Sequence, residues 1–132
     1  MYYHYSGQLF FFRLALNRVE PYMERLIKMD MPDEKGNSYR RRLEIGKQKY
    51  GLDSPDLNPE LDLEFPPELH RALSAWNILS STRHELNAVT LGEIKTYCEL
   101  YGMYLTSVEV ECILLLDRCF IKYVMQAQKN KG

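Results

Sequence analysis

Residues 89–124 read VTLGEIKTYCELYGMYLTSVEVECILLLDRCFIKYV, and this stretch decides the fold class. Thr90-Leu-Gly-Glu93 is a capping box: the threonine hydroxyl accepts from one free backbone N–H at the helix start, and the glutamate reaches back to another. The helix it opens carries Ile94, Tyr97, Cys98 and Leu100, and Gly102 stands where a left-handed glycine would end it. Thr106-Ser-Val-Glu109 repeats the device and opens the longest helix, over residues 107–126. Val108, Cys112, Leu115, Leu116, Cys119 and Tyr123 share one face of that helix, and Ile113, Phe120 and Val124 widen it. A helix apolar around so much of its circumference is either central to the core or shared with another chain.

Upstream, Pro66 and Pro67 suit a helix start, and ELHRALSAWNILSSTR places Leu69, Leu73, Trp76 and Leu79 or Ser80 on one side. Before it, residues 51–70 hold no lysine or arginine, six acids and four of the six prolines of the chain. Proline breaks both helix and sheet ladders, so this stretch reads as an extended acidic connector, too solvated to hold carboxylates in fixed geometry. Residues 1–50 carry ten basic side chains against six acidic ones. Leu9, Phe12, Leu16, Val19, Met23, Leu26 and Ile27 fall near helical spacing, which gives a helix over residues 8–29 that Pro21 would kink or split. Ser38 caps a shorter helix, SYRRRLEIGKQKYG, that Gly51 stops. Its apolar face, Tyr39, Leu43, Ile45 and Tyr50, is thin, so it needs a partner element. Only the first twelve residues, rich in Tyr and Phe, have the composition of a strand.

The expected fold is all-α, a small bundle of about four to five helices with three in the C-terminal half. The expected organisation is an N-terminal helical arm at 1–50, the connector at 51–65, a core domain at 66–126 and a frayed tail at 127–132.

Composition narrows the function classes. With 132 residues the chain can bury a core without disulfides or metals. A net charge of −1 supplies no overall field to draw nucleic acid or an acidic membrane. Cys98, Cys112 and Cys119 are odd in number, form no CxxC pair and lie in apolar helical patterns, so reduced core thiols in a cytoplasm fit better than a disulfide framework. The N-terminus lacks the basic region and cleavage site of a signal peptide, and the apolar runs are too short to span a bilayer.

Chemistry finds little support. Cys98, Cys112, Cys119 and His84 match no zinc spacing. A cysteine with His70 or His84 lacks a nucleophile elbow, and there is no phosphate loop and no HExxH. No catalytic, cofactor or metal residue is assigned, and an enzyme is not expected. A helix-turn-helix reading of residues 93–113 has the small residue and turn glycine, Cys98 and Gly102, at the right separation. Its recognition helix, however, would present Glu109 and Glu111 to the bases, with no cation before Arg118. The run Arg40-Arg41-Arg42 reads as a solvated face neutralised by the connector, with a contact to an acidic partner or nucleic acid as the alternative.

From Glu64 onward the order and spacing of several short motifs resemble the tail assembly chaperones of long-tailed bacteriophages, over residues 64–125. The matching positions are Pro66, Pro67, Glu68 and Leu69, then Trp76, Leu79, Ser80 and Arg83. Glu93, Ile94, Tyr97, Leu100 and Gly102 follow, and last Leu105, Glu109, Leu116 and Asp117. The resemblance implies a non-enzymatic protein of the bacterial host cytoplasm, without cofactor. Such a protein binds the tape measure protein, keeps it soluble and helps recruit the tail tube protein. It also makes Trp76, Leu79, Arg83, Tyr97, Leu116, Asp117 and Phe120 candidates for family-signature or partner-binding roles. Trp76 has the size to anchor a three-helix junction. Arg83 and Asp117 either pair across the first and last of these helices or stand exposed. A structural tail or head–tail component and, behind it, a small DNA-binding regulator are the alternatives. The wide face of residues 107–126 and the aromatic N-terminus need cover, which a homo-oligomer, a client or the chain itself would supply.

Overall fold

The two capping boxes form as their residues dictate. Thr90 Oγ1 accepts from the Glu93 N–H at 3.1 Å and Glu93 Oε1 accepts from the Thr90 N–H at 3.2 Å. At the second, Glu109 N–H donates to Thr106 Oγ1 at 3.2 Å and Thr106 N–H to Glu109 Oε1 at 3.0 Å. The computed structural model describes residues 13–131. A helical stretch at 13–16 leads, through a turn at Asn17 and Arg18, into α1 (Val19–Asp30). Then come α2 (Tyr39–Tyr50), 3-10 turns at Pro55–Leu57, Pro59–Leu61 and Pro67–Leu69, and α3 (His70–Ser81), α4 (Leu91–Tyr101) and α5 (Ser107–Lys131). No strand occurs among the described residues. The protein is all-α, as its periodicity requires.

Three expectations change in detail. Residues 8–12 of the long first helix, and the strand-like composition of residues 1–12, lie outside the described residues. Within them the helix breaks at Asn17–Arg18, ahead of Pro21, and resumes at Val19. The break puts Pro21 in the first turn, where its missing N–H has no intrahelical partner to lose. The connector is not extended throughout: Ser54 and Asn58 cap successive 3-10 turns, each opened by a proline. At the far end α5 reaches Lys131, past the expected end at residue 126.

α5 is central. It packs against α1 on one side and α3 on the other. Arg13–Glu111 and Lys122–Glu20 step the same way along both segments, so α1 and α5 run parallel. Val19, Met23 and Ile27 of α1, Ala72, Ala75, Trp76 and Leu79 of α3, and Val108, Cys112, Ile113, Leu116 and Cys119 of α5 form one buried cluster. Full burial of a Leu, Met or Ile side chain contributes about 1.5–3 kcal/mol. α4 adds Ile94 and Tyr97, and its last turn faces outward: Leu100, expected inside, is 78% exposed. Gly102 ends α4 at φ 58°, a left-handed conformation that glycine adopts without a Cβ clash.

α2 is held differently. Ser38 Oγ caps it by accepting from Arg41 N–H at 3.1 Å, and Gly51 stops it at φ 66°. None of its side chains is buried. It is pinned to α1 and the connector by a polar seam. Arg40 Nε donates to Asp30 at 2.8 Å and its Nη2 to Asp62 at 2.8 Å. The Tyr39 hydroxyl donates to Asp56 at 2.8 Å. From α1, Arg25 donates to Asp62 at 3.2 Å and to the Asp56 carbonyl at 2.7 Å, and Lys28 reaches Asp56 at 3.3 Å. The connector carboxylates, read as too solvated for fixed geometry, are therefore positioned, because basic residues of the preceding helices converge on them. Their hydrogen bonds set their titration. Tyr39 and then Lys28 hold Asp56 below the usual carboxylate value, and Arg40 does the same for Asp62.

Candidate functional site

Four of the seven resemblance-derived residues, Trp76, Arg83, Asp117 and Phe120, come together around one buried carboxylate. Asp117, in the middle of α5, has a side chain 2% exposed. Its Oδ1 accepts from the Trp76 indole N–H at 3.2 Å and from Arg83 Nη2, with which it forms an ion pair. Its Oδ2 accepts from the Val89 backbone N–H at 2.8 Å. One side chain thus ties α3, the loop after it and the entry to α4 onto α5. Arg83 follows α3 by two residues and is 8% exposed at its side chain. Its Nη1 donates to the Asn87 carbonyl at 2.5 Å, which closes the loop, and its guanidinium lies 5.3 Å from the Phe120 ring centroid. Arg83 Nε is buried without a hydrogen-bond partner among the described residues. Phe120 also meets Trp76 edge-on at 5.5 Å.

Three of the named residues stand apart from this network. Leu116 is fully buried beside it in the sequence of α5, and Leu79 is buried on α3. Tyr97 lies on α4, stacked on Tyr101 at 4.6 Å, with its hydroxyl 3.9 Å from Met103 sulfur. Burial raises its pKa above the ordinary tyrosine value. The pairing of Arg83 with Asp117, left open by the sequence against simple exposure, is present.

The first turn of α5 holds a second polar cluster that sequence reading reached only as a cap. Glu109, itself buried, accepts in the capping box through Oε1 and pairs through Oε2 with Arg71 Nε of α3 at 3.3 Å. Arg71 also donates to the Tyr104 carbonyl. Glu111, the other acid of the supposed recognition helix, pairs with Arg13 at 3.3 Å. Val108 and Cys112, which flank these two acids, are buried, and both acids are held by arginines of the protein itself.

The cysteines are core thiols. Cys112 and Cys119 are buried and Cys98 is half-buried, and all three are free. Burial, with Glu109 nearby, pushes the Cys112 thiol up to about 12, so it stays protonated and unreactive at neutral pH. Among the described residues no group of three or more His, Cys, Asp or Glu side chains is placed to hold a metal, and no helix is long and apolar enough to cross a membrane.

Residues 53–122, more than half of the chain, match the family model described as phage tail assembly chaperone. The chain belongs to the phage tail assembly chaperone family. The match begins in the connector, takes in the Asp117 network and both capping boxes, and ends within α5. No curated protein and no solved structure matches the chain. The family's shared stretch therefore coincides with the elements that Asp117 ties together, while α1 and α2 precede it.

Trp76, Leu79, Arg83, Tyr97, Leu116, Asp117 and Phe120 are buried or half-buried, whereas Leu100, another position of the resemblance, stands outside with two aromatic neighbours. Leu100 (78%), Tyr101 (56%) and Tyr104 (83%) crowd the end of α4 and the turn into α5. Aromatic side chains of this kind are enriched where proteins bind one another. Sequence reading missed these three because the helical period assigns Leu100 to the buried stripe, and the turn carries no period at all.

Proposed function

We propose that this protein is a tail assembly chaperone that binds the tape measure protein, keeps it soluble and brings it to the tail tube protein. The observation that carries the reading is the family match over residues 53–122. Two features of the molecule support it. The signature residues build a rigid scaffold around Asp117. Beside that scaffold, Leu100, Tyr101 and Tyr104 offer aromatic and aliphatic area of the kind that dominates protein interfaces. In this reading the client is an amphipathic helical segment laid on the α4–α5 end, a mode that needs apolar anchors. The signature residues Trp76, Leu79, Arg83, Tyr97, Leu116, Asp117 and Phe120 serve binding through the fold. The protein works without catalysis or cofactor, in the cytoplasm of the bacterial host.

The test is co-expression with the tape measure protein of the same phage or prophage. The expected outcome is a soluble complex that co-purifies, with the client aggregating when expressed alone. Failure to co-purify while both remain soluble separately would reject the reading.

A further inference from the structure

The polar seam leaves cations without a carboxylate partner elsewhere on α2, one of which, Arg42, lies over the Tyr39 ring at 5.9 Å. Arg40 is committed inward to Asp30 and Asp62. Arg41, Arg42 and Lys49 are exposed and have no carboxylate partner among the described residues. Successive helix residues turn by about 100°, so Arg42, Ile45 and Lys49 lie on one face, with Arg41 one turn from Ile45. The single acid of the helix, Glu44, falls about 160° away from Arg42. The outer face of α2 is therefore a cationic stripe with an aliphatic centre. The connector shows the converse. Asp56 and Asp62 are turned to the seam and Glu68 pairs with Arg18, which leaves Glu60 and Glu64 exposed without a cation among the described residues. Leu61 (45%) and Leu63 (46%) are exposed between them, as Tyr50 (75%) and Leu52 (63%) are beside the stripe. Tyr39–Asp56 and Arg40–Asp62 bind helix and connector side by side.

From this complementarity we infer that the occupant of this face is a second copy of the chain. The copies pair about a two-fold axis, so that each α2 stripe of Arg41, Arg42, Ile45 and Lys49 lies on the partner's Glu60–Glu64 segment. Adjacent patches of opposite sign on one molecule suit this arrangement, because a two-fold axis forms every contact twice. The adjoining acids also make a nucleic acid a poor occupant of the stripe, since phosphates would meet Glu60 and Glu64 beside the arginines. The inference does not depend on the client reading, as it uses a different face and an oligomeric readout.

Analytical ultracentrifugation of the full chain across a concentration series tests it. At about 0.1 M salt a monomer–dimer equilibrium is expected, shifting to monomer as salt rises, because exposed charge pairs are screened. Arg41→Glu/Arg42→Glu and, separately, Glu60→Lys/Glu64→Lys should each raise the dimer dissociation constant about tenfold or more, and an equimolar mixture of the two variants should recover a heterodimer. Circular dichroism reports whether each variant keeps its helix. Glu60 and Glu64 lie outside the α-helices, so the second variant decides the matter if the first loses helix. A monomer at every concentration, a dimer indifferent to both reversals and to salt, or a mixture that stays monomeric would overturn the inference.

Discussion

Asp117 and Asp62 do the same task in different media. Each ties an irregular stretch of chain to helices through an arginine and a second donor: Arg83 and Trp76 at Asp117, Arg40 and Arg25 at Asp62. The side chain of Asp117 is 2% exposed and that of Asp62 is 41% exposed. Around Asp117 the donors have given up water, and the carboxylate replaces it for the Trp76 and Val89 N–H groups and, with the Asn87 carbonyl, for Arg83. Around Asp62 water stands ready to replace whatever is lost. The comparison separates two kinds of attachment in one small chain. One belongs to the core, with every partner inside the family match, and the other joins two carboxylates of the matched stretch to cations of α1 and α2, which precede it.

Breaking the buried member should have the largest effect. Asp117→Ala leaves the Arg83 guanidinium, the Trp76 indole N–H and the Val89 N–H without their acceptor. A loss of about 3–5 kcal/mol is expected, as for other buried pairs deprived of one partner. Chemical denaturation followed by tryptophan fluorescence measures it, since Trp76 is the only tryptophan. A loss no larger than that of a surface substitution would mean that the network is dispensable.

Breaking the seam should have a local effect. In Asp62→Asn, hydrogen exchange is expected to speed up in α2, with α5 unchanged and the denaturation midpoint almost unmoved. Acid should imitate the mutation. Asp56 and Asp62 have folded-state pKa values below the ordinary 3.8, so their contribution is present above that value and is lost as pH falls through the lowered ones. α2 amides should therefore lose protection below pH 3.8 ahead of those in α5. Simultaneous loss in both helices would show that the seam and the core are one cooperative unit.

What could be read in advance follows the same division. Ser38, Thr90–Glu93, Thr106–Glu109, Gly51 and Gly102 act on backbone groups within a few residues of themselves, so their helix ends were legible. The breadth of the apolar face of α5 already gave a central position as one of two choices. Arg40 and Asp62 lie 22 residues apart, and Arg25 and Asp62 lie 37 apart. No local pattern announces such pairs, so the connector read as loose. The Asp117 cluster was reached through family resemblance, because its partners come from residues 76, 83, 89 and 120. Leu100 fits the helical period and still faces out, because α4 meets the rest of the fold mainly through Ile94 and Tyr97.

With the buried signature residues making the fold, the exposed end of α4 is where the proposed client would meet it. Leu100→Glu/Tyr104→Glu tests it directly, since both side chains are more than three-quarters exposed. An unchanged denaturation curve is expected for the variant, together with loss of the soluble tape measure complex on co-expression. Full retention of that complex by the folded variant would contradict it.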